Sequence, residues 1–553
     1  MIIKPNEIRN NEEIETEICI IGAGTAGLTI AREFIDTSKN IVILESGGEE
    51  AGSVTNESTE GKNIGIPYYD LKDTRERAFG GSSHLWYYVP GLRSRGMDAI
   101  DFEKKDWIPY SGWPISKTDL DPYYKRAHKL LNLGPYTYRC EDWINPDEIN
   151  YLQNEDEDGF RTTMFQFARR DIFYNNYYND FKIAENVKVF IESTVLNIET
   201  TENAKEVTHL TVSLQNEFQF TVKAKYFILA AGGLENARLL LLSNTHAKQG
   251  LGNDNDLVGR FFMEHPHIWG KGYAGTYYPN EHEKFNSNEI YNFHYRNGTP
   301  LLGYLIFKEE VIRQNQLLNI TFDLRGESVQ YPARYSEGIA AIQNVLSNMK
   351  YGRINKEMFR ELGKFFNNGT AVAYERMPRL VNGKVKKWNR YELEETGIII
   401  KLMAEQAPNP DSRVILGDEH DLFRQRKIHL DWRLTDLDLE SMKKSMEILN
   451  TSLQKKGLGY IDVHLNTDLS DMAQKIHGGF HHMGTTRMHE DHTMGVVDKD
   501  CKMHGTHNLF VAGSSVFPTV GYANPTLTIA ALAIRLADHL KKEKFAQNIT
   551  RAI

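Results

Sequence analysis

Residues 17–46 read EICIIGAGTAGLTIAREFIDTSKNIVILES. Ile18, Ile20 and Ile21 begin a continuous apolar run, which suits a strand buried on both faces. Gly22, Gly24 and Gly27 then form a G-x-G-x-x-G turn around Thr25 and Ala26. A helical stretch follows over 28–34. A second apolar run, 41–44, ends on Glu45, which stands 23 positions beyond Gly22. In such a unit the first glycine permits a tight turn, the second lets the backbone approach a pyrophosphate, and the third lets helix and strand pack closely. The helix N-terminus offers unpaired N–H groups to phosphates. Glu45 is placed to accept hydrogen bonds from an adenosine ribose and to repel a 2′-phosphate. The pattern predicts a dinucleotide-binding α/β unit, with FAD and NAD both open at this point. The bland alternative is a glycine-tolerant turn in some other α/β domain.

The chain has 553 residues, enough for several domain-sized units or a large two-domain enzyme. Apolar residues make up 41% and charged residues 25%, ordinary for a globular protein. The net charge of −9 comes without a basic block, which argues against nucleic acid as a partner. Cys19, Cys140 and Cys501 are far apart and odd in number. They predict neither a disulfide framework nor a zinc site, and they suit a reducing compartment. The polar N-terminus holds no apolar signal core, and no run reaches the ~18 to 20 apolar residues of a membrane span. A cytoplasmic protein without a membrane span is the expectation.

Further along stands Phe79-Gly80-Gly81-Ser82-Ser83-His84-Leu85-Trp86, a loop able to offer backbone and hydroxyl donors to a phosphate or a flavin ring. A helix is expected over 119–133, stopping at Gly134. Strands are expected over 187–198, 210–214 and 218–222. Another buried strand starts at Tyr226 and runs into Gly232 and Gly233, with a helix over 234–242. The nucleotide unit therefore resumes after an interruption. Residues 301–307 and 318–324 alternate in character, predicting antiparallel strands with one wet face. Residues 335–385 read as polar and mostly helical. Thr435 is placed to cap a helix whose Met442, Met446, Leu449 and Leu453 share a core-facing stripe.

The C-terminal part carries a second constellation. His477, His481 and His482 precede Gly484-Thr485-Thr486-Arg487-Met488. No carboxylate or cysteine stands at ligand spacing, so no metal site is predicted. In an extended segment His481 and His482 point opposite ways, so at most one faces a given pocket. Histidine is the usual general base; the plainer reading is two hydrogen-bonded core histidines. A strand over 508–512 enters a turn at Gly513. Asn524, Pro525 and Thr526 then open a long apolar helix. Asn524 is a favoured N-cap, and Pro525 suits the first helical position. A cap uses the side-chain oxygen, which leaves the amide NH₂ to donate to a ligand.

Taken in order, GAGTAGL with Glu45, FGGSSHLW, DFEKKDWIPYSGWPIS, LAAGGLENARLLL, GLGNDNDLVGRFFMEH, EQAPNPDSRVIL, HHMGTTRM and NLFVAGSSVFPTVGYANPTLTIAALA resemble the glucose-methanol-choline (GMC) oxidoreductases over nearly the whole chain. The resemblance implies an α/β protein. It has a Rossmann-like, discontinuous FAD-binding domain (1–110, 186–265 and 474–553) and an α+β substrate-binding domain on an antiparallel sheet (111–185 and 266–473). It implies that His481, three positions before the Gly of the Gly-Thr pair, is the base and that Asn524 is its partner. The Asn form is nearer the sugar- and choline-oxidising branches than the His-His branch. Cofactor contacts are expected at Gly22, Gly24, Thr25, Ala26, Gly27, Glu45 and Ser46. In the second loop they are expected at Gly80, Gly81, Ser82 and His84. Later segments contribute Val195, Ala231, Gly232, Gly513, Pro525 and Thr526. Some members attach FAD to a histidine four positions after the Gly-Gly pair. Leu85 stands there and His84 is one residue early, so noncovalent FAD is expected, with His84 at the flavin's reactive edge.

The implied reaction oxidises a CH–OH group of a sugar, polyol, amino sugar or other natural-product alcohol. The O–H proton passes to His481, Asn524 donates to the same oxygen, and hydride passes to flavin N5. Oxygen, a quinone or another electron acceptor completes the cycle, so oxidase and dehydrogenase both stand. A nonredox lyase on the same FAD scaffold and a noncatalytic flavoprotein subunit are the competing readings.

Overall fold

The computed structural model describes residues 1–86, 91–144, 152, 159–214, 218–268, 274–280, 289–326, 379–381, 384–386, 397–465 and 469–550. The opening stretch forms strand Glu13–Ile21, helix Thr25–Arg32 and strand Ile41–Leu44, with the two strands parallel. Ile18 to Ile21 and all of Ile41–Leu44 are buried, as central parallel strands require. Around them runs an eight-stranded sheet. Its order is Ile2–Ile3, Val187–Phe190, Ile41–Leu44, Glu13–Ile21, Gln219–Leu229, Val207–Leu214, Ser193–Thr200, with Leu509–Val511 also paired to Gln219–Leu229. Pairing is parallel except for the last two pairings of this order, Gln219–Leu229 with Val207–Leu214 and Val207–Leu214 with Ser193–Thr200, which are antiparallel. Helix Thr526–Thr550 packs against both Thr25–Arg32 and Lys117–Leu130.

The single strand expected over 187–198 is two strands. Glu192 takes φ 51°, and the chain turns there, so Val187–Phe190 joins Ile41–Leu44 while Ser193–Thr200 joins Val207–Leu214. Conversely, Gln219–Leu229 is one strand where two were expected.

The second sheet has ten strands, antiparallel in its main path from Gly459–Val463 through Gly275–Pro279, Ile398–Ala404, Ile320–Gly326, Thr299–Phe307 and Phe160–Ala168 to Leu92–Ser94. The expected wet face is absent from Thr299–Phe307. Leu301, Leu305 and Phe307 enter one core, while Leu302, Tyr304 and Ile306 pack on the other side with Phe165, Met403 and Tyr522. The sheet is sandwiched: Tyr522, from the loop before the last helix, covers the side that an isolated sheet would leave in water.

Packing also departs from the expected domain boundaries. Residues 111–185 are expected in the substrate domain. Yet Leu120, Tyr124 and Ala127, and further on Phe173, Tyr177 and Phe181, lie in the core of the first sheet. The Tyr124 and Thr528 hydroxyls share a 2.8 Å hydrogen bond. Leu92–Ser94 and Gly61–Asn63, expected in the FAD domain, pair instead with Phe160–Ala168 and Arg426–Asp431. The face an element buries, and not its place in the chain, decides which core takes it.

Helix Asp436–Lys455 begins after Thr435, whose backbone N–H and Oγ1 both donate to Asp438 (2.6 and 2.8 Å), and its Met442, Met446, Leu449 and Leu453 are buried as expected. Of the helical stretch expected over 335–385, most lies outside the described residues. The described parts, Arg379–Val381 and Lys384–Lys386, are antiparallel strands.

Candidate active site

A single cavity runs from the glycine turn to the start of the last helix. Gly22, Gly24, Thr25, Ala26, Glu45 and Ser46 line one end. The turn is tight because Gly27 sits against it: a Cβ there would meet the Gly22 carbonyl oxygen at 2.1 Å. Glu45 closes the same turn. Its carboxylate accepts N–H bonds from Ala23 and Gly47, each 2.8 Å, and burial pushes it up to about 7 against those bonds.

Sequence reasoning missed a cationic cluster at this end. Arg75 and Arg77 line the cavity beside Glu235 and Arg238. Arg77 donates to Ser46 Oγ (2.9 Å) and Glu235 (3.0 Å), and Arg238 reaches Glu235 at 3.3 Å. Burial alone would raise Glu235, but Arg238, Arg75 and Arg77 outweigh it and hold the carboxylate down to about 2. These residues come from separate segments, and no local motif announces them.

Gly81, Ser82, Val195, Ala231, Gly232, Gly513, Pro525 and Thr526 also line the cavity. Gly27, Gly80 and His84 do not. Gly27 and Gly80 shape the loops behind the wall, the Gly80 N–H donating 2.8 Å to the Ala23 carbonyl. His84 turns away: its ring stacks on Tyr174 with centroids 4.1 Å apart, and Nε2 lies 2.9 Å from the Phe79 carbonyl. The expected place of His84 at a reactive edge is thus corrected, and Leu85 lines the cavity instead.

At the other end stand His481, His482 and Asn524. Phe480, just before the pair, has φ 61°, and both histidines reach the cavity wall. His481 Nε2 lies 3.0 Å from Asn524 Nδ2, and its Nδ1 lies 2.8 Å from Nδ1 of His265. Burial, then the neighbouring His265, His267 and Arg93, hold His481 well below its ordinary value, so the ring is neutral. His482 bonds Tyr68 OH at 3.1 Å, and burial lowers it to about 3.

Asn524 does not cap the helix. Its Oδ1 is buried without a hydrogen-bond partner among the described residues, and the Pro525 carbonyl accepts the first helical bond, from Ile529 N–H (2.8 Å). Pro525 is therefore the cap residue and not the first helical one, which frees the Asn524 amide for the cavity.

Glu264 joins the two histidine segments. Its carboxylate accepts N–H bonds from His265 (3.0 Å), Gly479 (3.0 Å) and His481 (2.9 Å), and the Tyr68 hydroxyl. Burial pushes Glu264 up to about 7 against these bonds. Both Glu264 and His265 sit in the GLGNDNDLVGRFFMEH motif, whose Met-Glu-His ending was the one signal that could have singled them out.

The residues fit an FAD. Residues lining both ends carry buried polar atoms without a partner among the described residues, Arg75 Nε at one and Asn524 Oδ1 at the other, with a glycine turn and helix N-terminus between. Residues 17–250 match the family described as FAD dependent oxidoreductase, and residues 408–533 match GMC oxidoreductase. Over these two segments the chain is a GMC-type, FAD-dependent oxidoreductase. It is 24% identical to the fructose dehydrogenase large subunit of Gluconobacter japonicus over 96% of this chain and 98% of that one. It is 45% identical to a C-glycoside 3-oxidase of Microbacterium trichothecenolyticum over 26% of this chain and 30% of that one. A formate oxidase crystal structure shares the fold, with a TM-score of 0.54 at 17% identity over 97% of this chain and 99% of that one. Among the described residues no helix is long and apolar enough to cross a membrane.

Proposed function

We propose that the chain oxidises a secondary or primary alcohol of a sugar or sugar-like polyol to a carbonyl, with His481 as base and Asn524 as its partner. The observation that carries this is the pairing of His481 Nε2 and Asn524 Nδ2 at 3.0 Å on the cavity that also holds the glycine turn. Bound FAD supplies the hydride acceptor. His481, neutral in its buried setting, accepts the alcohol O–H proton at Nε2. The Asn524 N–H that meets Nε2 turns to the alcohol oxygen when substrate enters, which frees the Nε2 lone pair for the proton and holds the oxygen while the alkoxide develops. Such a base contributes about 10² to 10⁴ in rate.

A sugar-like substrate is supported by the relatives, which are named for fructose and C-glycosides. The FAD is held noncovalently in this proposal: His481 and His482 are the histidines lining the cavity among the described residues, and both rings have other partners. The discontinuous FAD-binding domain is proposed to include the Lys117–Leu130 helix that packs with it. A cytoplasmic site agrees with three buried cysteines that form no disulfide.

Anaerobic mixing with sugars, polyols and amino sugars tests the proposal by bleaching of the flavin band. His481→Ala should slow that bleaching about 10²- to 10⁴-fold while the yellow cofactor stays bound. Reduction at the wild-type rate would remove His481 as base. A panel that never bleaches a dithionite-reducible flavin would favour the lyase or scaffold reading. Acid precipitation should release the flavin into solution, and a yellow pellet would overturn noncovalent binding. Admitting air after bleaching separates oxidase from dehydrogenase.

A further inference from the structure

We propose that His265 is a positioning residue that fixes the tautomer of His481, presenting its Nε2 lone pair to the cavity. The inference deepens the proposed function and rests on His481 being the base.

The two rings form a chain that ends on backbone carbonyls. His265 Nε2 faces the Val520 carbonyl oxygen at 3.4 Å, and the Gly521 carbonyl also acts on this ring. A carbonyl can only accept, so Nε2 of His265 carries its proton. A neutral imidazole has one N–H, which leaves Nδ1 of His265 as an acceptor. Nδ1 of His481 lies 2.8 Å from that acceptor and must therefore donate to it. The His481 proton is then on Nδ1, and Nε2 is a bare lone pair. Asn524 can meet it only with its NH₂ group, at 3.0 Å. The Val520 and Gly521 carbonyls thus set the direction of every hydrogen bond out to the cavity. The reverse chain would set a histidine lone pair against two carbonyl oxygens.

For this to work the carbonyls must not move, and the loop that bears them is pinned. The Thr519 hydroxyl donates to the Asp101 carbonyl (2.7 Å), and Trp113 Nε1 donates to the Thr519 hydroxyl (2.9 Å). Tyr522 OH donates to Asp98 Oδ2 (2.7 Å). Gly521 has φ +56°, and a Cβ there would lie 2.5 Å from Asp101 Oδ2, so the loop presses directly on that carboxyl group. Across the ring pair, a two-way bridge between Met263 and Met483 (3.0 Å each way) and the Glu264 carboxylate hold the His265 and His481 backbones together. Burial keeps both rings neutral, lowering His265 to about 4, so the one-proton count holds through the working range.

The arrangement is a histidine in the place where hydrolase triads put a carboxylate. A neutral partner fixes the tautomer without adding a negative charge beside the ring.

The test is ¹⁵N-histidine NMR of the FAD-bound protein, with the His481 signals identified by their loss in His481→Gln. Three proteins are compared: wild type, His265→Ala and His265→Asn, whose amide oxygen falls near the position of the lost Nδ1. In wild type the His481 proton should reside on Nδ1. His265→Ala should leave the two tautomers mixed and slow flavin reduction about 10²-fold, less than the roughly 10⁴ for a trapped wrong tautomer, with KM changed little. His265→Asn should restore both the tautomer and most of the rate. A wild-type proton on Nε2, or an unchanged tautomer in a folded His265→Ala, overturns the inference. The NMR readout needs no turnover: a locked Nδ1–H with no substrate turnover would sink the proposed function while the His265-set tautomer stood, so the two failures are distinguishable.

Discussion

Glu45 at the glycine turn and Glu264 behind His481 are both buried, both accept backbone N–H groups, and burial raises both to about 7. They differ in reach. Glu45 ties Ala23 and Gly47, partners from its own strand–turn–strand unit. Glu264 ties its neighbour His265 to Gly479 and His481, more than 200 positions away in sequence, with Tyr68 as a fourth donor. The first carboxylate trims a local turn. The second fastens two distant segments whose juxtaposition makes the His481 end of the cavity, where the proposed reaction takes place. The same chemical device is thus a matter of local geometry at one end and of tertiary assembly at the other.

This contrast predicts unequal costs. Glu264→Ala strands three backbone N–H groups and a tyrosine hydroxyl in a buried site, at about 1 to 3 kcal/mol for each group left unmet. Relaxation recovers part of that, so a net loss on the order of 4 kcal/mol is expected in urea unfolding of the holoprotein. Substrate-driven flavin reduction should fall with it. Glu45→Ala strands two groups beside the turn. It should cost about 1 to 2 kcal/mol and weaken FAD retention about tenfold, measured by diafiltration. Equal stability losses in the two variants would break the comparison. A loss of FAD in Glu264→Ala larger than in Glu45→Ala would reverse it.

The smallest effect concerns His482, which shares Tyr68 with Glu264. Its folded value, about 3, lies below the ordinary 6.5. The unfolded chain therefore takes up a proton below pH 6.5 that the folded chain refuses. The His482 contribution is fully present above pH 6.5 and is lost as pH falls toward 3. His482→Gln keeps a donor for the Tyr68 hydroxyl and removes this titration. The variant's Tm should fall less steeply than wild type between pH 6.5 and 4. Parallel profiles would show that the Tyr68 cluster does not exclude protons as its burial implies.

How much of this was legible follows the same division. Gly22, Gly24, Glu45 and the two flanking strands lie within thirty residues, so their spacing alone announces the unit. His481 and Asn524 stood out through the resemblance, and their meeting at 3.0 Å is a matter of tertiary structure. Asn524 shows where a local rule misleads. Its sequence position suits a cap, but the helix starts one residue later than the rule assumes, and the amide goes to His481 instead. His84 fails in the opposite sense: it lies in the right loop, but a stacking partner at Tyr174 draws it off the cavity. The wet face expected for Thr299–Phe307 failed because period-two patterning reports alternation and cannot report which neighbour covers the second face.

By itself, then, the sequence determined the strand–glycine turn–helix–strand unit, the order of the motifs and the identity of the chemically able side chains, because these depend on contacts a few residues apart. Only the tertiary structure decided which core each helix joins, that Arg75, Arg77 and Glu235 meet at the glycine-turn end of the cavity, and that His265 stands behind His481. Those contacts span hundreds of residues. Each is set by the burial and hydrogen-bonding of a whole interface, and no spacing along the chain encodes them.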